Sequence, residues 1–188
     1  MNNKFFIKLY SCLYFLYSFF PQTMLGGLPQ PYDSIIVLPF DAHGWFCNAS
    51  QLQECFSKNK IQTIIEVGSW LGTSARFLAE QAGETGKVYC IDNWKGPINP
   101  APFEILAYKQ HKKRLDTSYQ QFLSNVIHSN LTHQIIPIRM DSLEAAKALN
   151  VFADLIYIDA AHSEEAVCAD ILAWIEVVGK NWTEKKAK

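Results

Sequence analysis

The stretch IIEVGSWLGTSARFLAE, residues 64–80, decides the fold of this chain. It joins a short apolar run to a helix-like segment through a turn that contains Gly68 and Gly72. The run TIIEV predicts a buried strand, and TSARFLAEQAG predicts a helix that ends at Gly83. Glycine allows backbone to approach a ligand closely, so this strand–turn–helix unit is a candidate ligand-binding turn.

The same alternation continues to the end of the chain. KVYCID, IIPIR and DLIYID predict strands, whereas FEILAYKQHKKRL, SYQQFLSNVIHS, SLEAAKAL and SEEAVCADILAWIEVV predict helices. Strands that are apolar throughout and alternate with helices indicate a parallel sheet covered on both faces. We therefore expect an α/β fold with a doubly wound, mostly parallel sheet.

The N-terminal region differs from this pattern. Lys4 and Lys8 precede an apolar run from Leu9 to Phe20, which is the charge order of a secretory signal, but the run is too short to span a bilayer. We interpret residues 1–25 as a signal-like or interfacial segment. We expect a cytoplasmic protein, with membrane contact through residues 5–20 or export as alternatives.

Three further regions follow. The Pro- and Gly-rich start of residues 26–60 predicts a lead-in segment with little regular structure, and NASQLQECFSKNK predicts one short helix within it. Residues 61–178 form the expected ligand-binding domain, and residues 179–188 read as a polar tail.

Composition narrows the class of protein. The chain has 188 residues, 49% of them hydrophobic, and a formal net charge of -1, as expected for one globular domain. A nearly neutral chain lacks the basic field that attracts nucleic acid, so we do not expect nucleic acid as a partner. The five cysteines show no C-x-x-C spacing, which predicts reduced thiols that lie mostly in the core.

Polar residues follow each of the four predicted strands. In doubly wound sheets, ligands bind at the carboxyl ends of the strands, so these residues are the candidate site. They are Glu66, Gly68, Ser69 and Gly72 after the first strand, Asp92 and Asn93 after the second, Asp141 and Ser142 after the third, and Asp159 and His162 after the fourth.

The spacing of the turn discriminates between cofactors. A dinucleotide site needs G-x-G-x-x-G, but here the pattern is E-x-G-x-x-x-G, with Trp70 inside the turn. The Glu66 carboxylate would repel a pyrophosphate, whereas it suits S-adenosylmethionine, which carries a sulfonium and an amino group and no phosphate. Asp92 could accept hydrogen bonds from the ribose of either cofactor and does not discriminate.

EVGSWLGTSARFL, VYCIDNW, IRMDSLEAAKAL and DLIYIDAAHSEEAVCADILAW together resemble the class I S-adenosylmethionine-dependent methyltransferases. The nearest branch is the small-molecule O-methyltransferase-like group, whose fourth strand ends in I-D-x-x-H-S. The resemblance runs from about Ile61 to about Trp174. It implies a methyltransferase that acts on a hydroxyl of a small molecule.

The resemblance also implies roles for the candidate residues. The residues of the first turn would shape the pocket for the methionine part, Asp92 followed by Asn93 would bind the ribose, and Asp141 with Ser142 would lie beside the adenine. Asp159 and His162 would be catalytic. Related metal-dependent enzymes use an acid at the Asp159 position to hold a divalent cation such as magnesium.

Each role has a structural alternative. Gly68 and Gly72 could form only a tight turn, and Asp92 could cap it. Asp141 could be the N-cap of SLEAAKAL, and His162 could be a structural or capping residue at the start of the last helix.

The end of the chain departs from the family pattern. After ILAW the family continues with a fifth strand and an antiparallel hairpin, but here IEVVGKNWTEKKAK is the last stretch. We therefore expect the C-terminal strands of the fold to be missing, which would expose a sheet edge beside DLIYI and favour self-association. A truncated, non-catalytic cofactor-binding remnant and a nicotinamide-dependent reductase are the alternative functions, the second disfavoured by the glycine spacing.

Overall fold

The computed structural model describes residues 27–96 and 114–186, with side chains described as far as residue 178. The predicted N-terminal segment and most of FEILAYKQHKKRL lie outside these ranges. After a 3-10 turn at Tyr32–Ser34, helices and strands alternate along the chain. They are α1 (Ala49–Lys58), β1 (Thr63–Val67), α2 (Thr73–Ala82), β2 (Lys87–Asp92), α3 (Ser118–His128), β3 (Ile135–Arg139), α4 (Ser142–Ala148), β4 (Leu155–Ile158) and α5 (Glu164–Lys186).

The strands form one four-stranded parallel sheet in the order β3-β2-β1-β4. In its register, Ile65 of β1 lies opposite Tyr89 of β2 on one side and Ile156 of β4 on the other. The chain builds outward from β1 to β3 and then returns to place β4 on the other side of β1. The order of the strands therefore reverses between β1 and β4, which is where sheets of this kind bind ligands.

Both faces of the sheet are covered, as predicted. Successive side chains of a strand point to opposite faces. Ile64 packs in a core cluster with Leu78 of α2 and Phe122 of α3, whereas Ile65 packs in a second cluster with Trp174 of α5. Each fully buried side chain of this size contributes about 1.5–3 kcal/mol, so the two clusters fix the helices on the sheet.

The lead-in segment, defined here as residues 27–48, has no regular structure beyond its 3-10 turn, as predicted. Several hydrogen bonds nevertheless hold it in place. The Tyr32 hydroxyl donates to the Ile135 carbonyl at the start of β3 (2.8 Å), and the Leu38 amide donates to Ser124 Oγ of α3 (2.9 Å). The segment therefore follows α3 across the molecule toward the carboxyl ends of the strands.

Two expectations need correction. Helix α5 continues to Lys186, so the predicted polar tail at 179–188 is helical over most of its length. The thiols of Cys47, Cys55, Cys90 and Cys168 are free, as predicted, but only Cys90 is buried, and Cys47 and Cys168 are exposed.

In the ranges that the structure describes, no helix combines the length and apolar character needed to cross a membrane.

Candidate functional site

The turn after β1 is built on two glycines with positive φ. At Gly68, φ is +89°, and a Cβ atom there would lie 2.3 Å from the carbonyl oxygen of Asp159. At Gly72, φ is +84°, and a Cβ would lie 3.1 Å from the ring of Phe122. Because only glycine fits between the ends of β1 and β4, the turn brings Glu66 and Asp159 to the same region.

The Asp92 carboxylate is held by the turn that it faces. Its Oδ2 accepts hydrogen bonds from the backbone N–H groups of Ser69 (3.1 Å) and Trp70 (2.9 Å), and its Oδ1 accepts one from that of Trp94 (2.7 Å). Burial raises the pKa of Asp92, and these three donors oppose that shift. A carboxylate offers about four lone-pair positions, so one acceptor position on Oδ1 remains for a ligand hydroxyl.

Glu66 lies beneath the turn and is 0% exposed. Its Oε2 accepts a hydrogen bond of 2.5 Å from Ser69 Oγ, while its Oε1 has no hydrogen-bond partner within the described residues. Burial, with a smaller contribution from the nearby Asp159, raises the pKa of Glu66 to about 7, while hydrogen bonding to Ser69 opposes the shift. The folded chain therefore favours the protonated carboxyl group more than the unfolded chain does.

Asp159 joins a hydrogen-bonded group at the end of β4. Tyr157 Oη donates to Asp159 Oδ2 (3.1 Å), and Asn48 Nδ2 donates to Tyr157 Oη (2.9 Å). The Nε2 atom of His162 lies 3.6 Å from Asp159 Oδ1, which is an ion-pair distance longer than a hydrogen bond. Burial raises the pKa of Tyr157 to about 12, so its hydroxyl remains a donor at neutral pH.

The side chains after β2 and β3 form hydrogen bonds with nearby groups of the protein. Asn93 Oδ1 accepts from the Lys95 amide (2.7 Å), which closes a short turn. Asp141 is the N-cap of α4 and accepts from the Leu143 amide (3.0 Å), as its structural alternative predicted. Ser142 Oγ donates to Asp170 Oδ1 (2.5 Å) and accepts from the Trp174 indole (2.9 Å).

The candidate residues are therefore brought together to different degrees. Ser69 contacts both Glu66 and Asp92 directly, and Gly68 packs against the backbone of Asp159. Asp141 lies at the same rim, because the Met140 amide donates to the Asp92 carbonyl (3.1 Å). The Ser142 side chain instead belongs to the packing of α4 against α5.

The sequence analysis missed the contribution of the lead-in segment. Trp70 Nε1 donates to His43 Nδ1 (3.3 Å), and Asn48 bonds to Tyr157 at the end of β4. Asn48 occupies the N-cap position of α1, yet its side chain makes no cap hydrogen bond, because its amide bonds to Tyr157. The sequence signal for this contribution was the cluster of aromatic and polar residues in FDAHGWFCN. This stretch has no helical or strand period, so an analysis of periodicity does not assign it a role.

Among the described residues, Asp159 lacks the further ligands on which a divalent cation draws. Magnesium and calcium draw on several oxygen ligands. Across residues 27–96 and 114–186, no three His, Cys, Asp or Glu side chains are grouped as a metal site requires. We therefore derive no chemical step through a metal at Asp159.

A four-stranded parallel sheet with a glycine turn after β1 and acids at the ends of β1, β2 and β4 defines a Rossmann-like α/β fold. Residues 65–181, more than half of the chain, match the family described as "Methyltransferase domain". The chain belongs to this methyltransferase family. A search of curated proteins finds no match.

Solved structures of similar fold include three with bound cofactor or product. A cofactor-bound protein from MTB is 15% identical, with 88% of this chain and 59% of that chain covered and a TM-score of 0.48. An SAH-bound methyltransferase from Podospora anserina is 16% identical (72% and 49% covered, TM-score 0.48). An O-methyltransferase from Bacillus cereus in complex with SAH is 21% identical (64% and 48% covered, TM-score 0.42). This chain spans 59% or less of the length of each.

Proposed function

We propose that this chain is an S-adenosylmethionine-dependent methyltransferase that methylates a hydroxyl group of a small molecule. The observation that carries the proposal is the rim formed by Glu66, the glycine turn and Asp92. Asp92 keeps an acceptor position for a ribose hydroxyl, and Glu66 supports the turn beside it through Ser69. Membership of the methyltransferase family supports the same reaction.

When bound, S-adenosylmethionine supplies an electrophilic methyl group on sulfur. The acceptor oxygen forms the new bond to that methyl group as the carbon–sulfur bond breaks, and the acceptor hydroxyl loses its proton. We assign proton removal to His162 and the orientation of His162 to Asp159. Both side chains are reachable from solvent, with exposed fractions of 51% and 37%. The contact of 3.6 Å would shorten when an acceptor is present.

Asp159 is in turn positioned by its neighbour in β4. Because Tyr157 remains protonated at neutral pH, it donates to Asp159 Oδ2 and leaves Oδ1 toward His162. Asn48 bonds to the same hydroxyl and fixes its direction. These contacts order the carboxylate without a metal ion.

A methyl-transfer assay tests this assignment. We expect turnover with a panel of hydroxyl acceptors, unaffected by magnesium, and a loss of at least about 100-fold in kcat for His162→Gln, which is the usual contribution of a general base. His133→Gln is the control, since His133 is exposed and precedes β3 away from the site. Cofactor binding without turnover would support the alternative of a non-catalytic cofactor-binding remnant. Strict dependence on magnesium would contradict the metal-free scheme.

We further propose that two copies of the chain associate through β4 and α5. Among the described residues, β4 pairs with β1 alone and lies at an edge of the sheet. Helix α5 also carries an apolar stripe, 36–60% exposed, on one of its faces. It consists of Val167, Ile171, Ile175 and Val178.

Charge favours an antiparallel arrangement of the two α5 helices. The helix begins with Glu164 and Glu165, and its sequence ends with lysines at 180, 185 and 186. Antiparallel pairing sets the acidic start of one helix beside the basic end of the other, as a two-fold symmetric interface requires. Light scattering should find a dimer that Ile171→Glu converts to monomer, while Ile36→Glu in the lead-in segment has no effect. A wild-type monomer at high concentration would contradict the proposal.

We also keep the expectation that residues 5–20 contact a membrane surface. The aromatic and apolar side chains of FFIKLYSCLYFLYSFF, together with Lys4 and Lys8, support it. Flotation with anionic lipid vesicles should recover the full chain but not a variant that lacks residues 1–25. Equal recovery of both would contradict this expectation.

A further inference from the structure

Two tryptophans beside the site have a backbone conformation that tryptophan rarely adopts. Trp70 in the glycine turn has φ of +47°, and Trp94, two residues after the end of β2, has φ of +53°. A bulky side chain strains the backbone in this left-handed region, so the conformation persists only where surrounding contacts hold it. The contacts that hold these two residues meet at Asp92.

Hydrogen bonds join Asp92, Trp70 and Trp94 in a closed ring. The Trp70 amide donates to Asp92 Oδ2 (2.9 Å), and the Trp94 amide donates to Asp92 Oδ1 (2.7 Å). The Trp94 indole Nε1 donates to the Trp70 carbonyl (2.7 Å) and completes the ring. The peptide groups on both sides of the Trp70 Cα are thereby fixed, which keeps the Trp70 amide directed at the carboxylate.

Helix α3 holds the Trp94 side chain in place. Trp94 is 1% exposed, and its ring packs against those of Tyr119 (centroids 4.7 Å apart) and Phe122 (4.9 Å). Ser118 Oγ, at the first residue of α3, donates to the Trp94 carbonyl (2.9 Å). Rotation of the indole away from Trp70 would break a hydrogen bond in a buried region, where an unpaired N–H group is costly.

We propose that Trp94 is a positioning residue for cofactor binding, whose indole N–H holds the glycine turn so that one lone pair on Asp92 Oδ1 is left for a ribose hydroxyl. This inference rests on the proposed function and deepens it, because it makes ribose recognition depend on a side chain that is itself buried. Backbone amides occupy the other acceptor positions of Asp92, so the direction left for a ligand depends on where the turn places them. A carboxylate set in advance binds the hydroxyl at a lower entropic cost.

Nucleosides with and without ribose hydroxyls test the role of Trp94. Ligand-observed NMR compares adenosine with 2′,3′-dideoxyadenosine, and we expect wild type to prefer adenosine by at least about tenfold, as for a hydrogen bond to a charged group. Trp94→Phe keeps an aromatic ring but lacks the N–H, and it should lower this preference to about threefold or less. Trp174→Phe is the matched control and should keep the full preference. Trp174 is also 1% exposed, and its indole donates to Ser142 Oγ (2.9 Å) in the core cluster on the other face of the sheet.

Two further measurements separate positioning from a general loss of stability. Ser118→Ala is a milder second variant, since alanine suits a helix, and it should lower the preference about two- to threefold through loss of the bond to the Trp94 carbonyl. In a chain that already carries Asp92→Asn, Trp94→Phe should weaken adenosine binding much less than it does in wild type, because the two residues act as one unit. Additive effects of the two substitutions would overturn the role of Trp94.

The outcomes distinguish the two levels of the proposal. A folded wild-type chain that fails to bind S-adenosylhomocysteine in calorimetry would overturn the proposed function and the role of Trp94 with it. If that ligand binds but wild type shows no preference for adenosine, the role of Trp94 is wrong while the proposed function stands. A folded Trp94→Phe variant that keeps the full preference would also overturn that role, and Ser118→Ala decides the question if Trp94→Phe does not fold.

Discussion

The fold moves the pKa of Glu66 into the neutral range. It is fully buried between β1 and the glycine turn, and its Oε1 has no hydrogen-bond partner among the described residues. Titratable and polar groups face it from three other elements: Cys90 of β2, Ser74 of α2 and Asp159 after β4. Burial dominates and raises its pKa from 4.5 to about 7. A raised pKa means that the folded state favours the protonated carboxyl group.

This shift predicts a pH dependence of stability. The stabilising contribution of protonated Glu66 is fully present below about pH 4.5 and is lost as the pH rises through about 7. Over that window the free energy of unfolding should fall by about 3 kcal/mol, and Glu66→Gln should not show this fall. Urea unfolding from pH 4 to 9 measures it, with Glu80→Gln on the exposed side of α2 as the control. The same pH profile in wild type and Glu66→Gln would contradict the assignment.

Two glycines with similar φ angles give a second prediction. Gly68 and Gly83 have φ of +89° and +74°, but only Gly68 has atoms in the way of a Cβ, with Asp159 O at 2.3 Å. Gly83→Ala should therefore lower the free energy of unfolding by about 1–3 kcal/mol through backbone strain alone, because φ of 74° with ψ of 176° is adopted essentially only by glycine. Gly68→Ala should cost several times more, because the ends of β1 and β4 must separate. Thermal unfolding of both variants measures the difference, and equal losses would mean that the close approach is relaxed in solution.

At the scale of elements, Asn125 of α3 secures the lead-in segment. It is 0% exposed, and its Nδ2 donates to the carbonyls of Asp41 and Leu71 (both 2.8 Å). Its Oδ1 accepts from the Asp41 amide (3.0 Å). One side chain thus joins α3, the glycine turn and the lead-in segment.

Asn125→Leu keeps the size of this side chain but leaves buried backbone groups unpaired, at about 1–3 kcal/mol for each unsatisfied group. We expect the lead-in segment to detach first, since it has no regular structure of its own. Limited proteolysis followed by mass spectrometry should find faster cleavage within residues 35–48. Lys147→Ala, a substitution on the exposed side of α4, is the control and should leave the cleavage rate unchanged. Unchanged cleavage in Asn125→Leu would show that other contacts hold the segment.

The strands of the sheet could be predicted from sequence because each has a recognisable pattern within its own few residues. TIIEV, KVYCID and IIPIR are apolar runs with turn residues beside them, and their bounds agree with β1, β2 and β3. The lead-in segment could not be predicted in this way. Its placement depends on contacts across the chain, such as Tyr32 with Ile135 and Asn48 with Tyr157, and irregular backbone carries no period. The contributions of His43 and Asn48 to the site were missed for that reason.

Side-chain roles divide in the same manner. The positions of Glu66, Asp92 and Asp159 follow from strand ends, since the carboxyl ends of parallel strands meet at one edge. What each side chain bonds to does not follow from position. Asp141 caps α4 and Ser142 bonds to Asp170, because each hydroxyl or carboxylate finds the nearest donor or acceptor when the helices pack.

At the scale of the whole molecule, the sheet, the glycine turn and the lead-in segment converge on one rim. Asp92 accepts a hydrogen bond from the Trp70 amide in the turn. Asn48 of the lead-in segment donates to the Tyr157 hydroxyl, which donates to Asp159. We propose that this rim binds a nucleoside cofactor without a pyrophosphate. The turn after β1 lacks the G-x-G-x-x-G spacing that a dinucleotide site requires.

Isothermal titration calorimetry of the chain with S-adenosylhomocysteine and, separately, with NAD tests this claim most directly. The account predicts saturable binding of S-adenosylhomocysteine and none of NAD. Asp92→Asn, which retains the shape of the side chain, should weaken the first by about 1.5–3 kcal/mol through loss of a hydrogen bond to a charged acceptor. Binding of NAD as tight as that of S-adenosylhomocysteine, or of neither ligand by a folded chain, would contradict the claim.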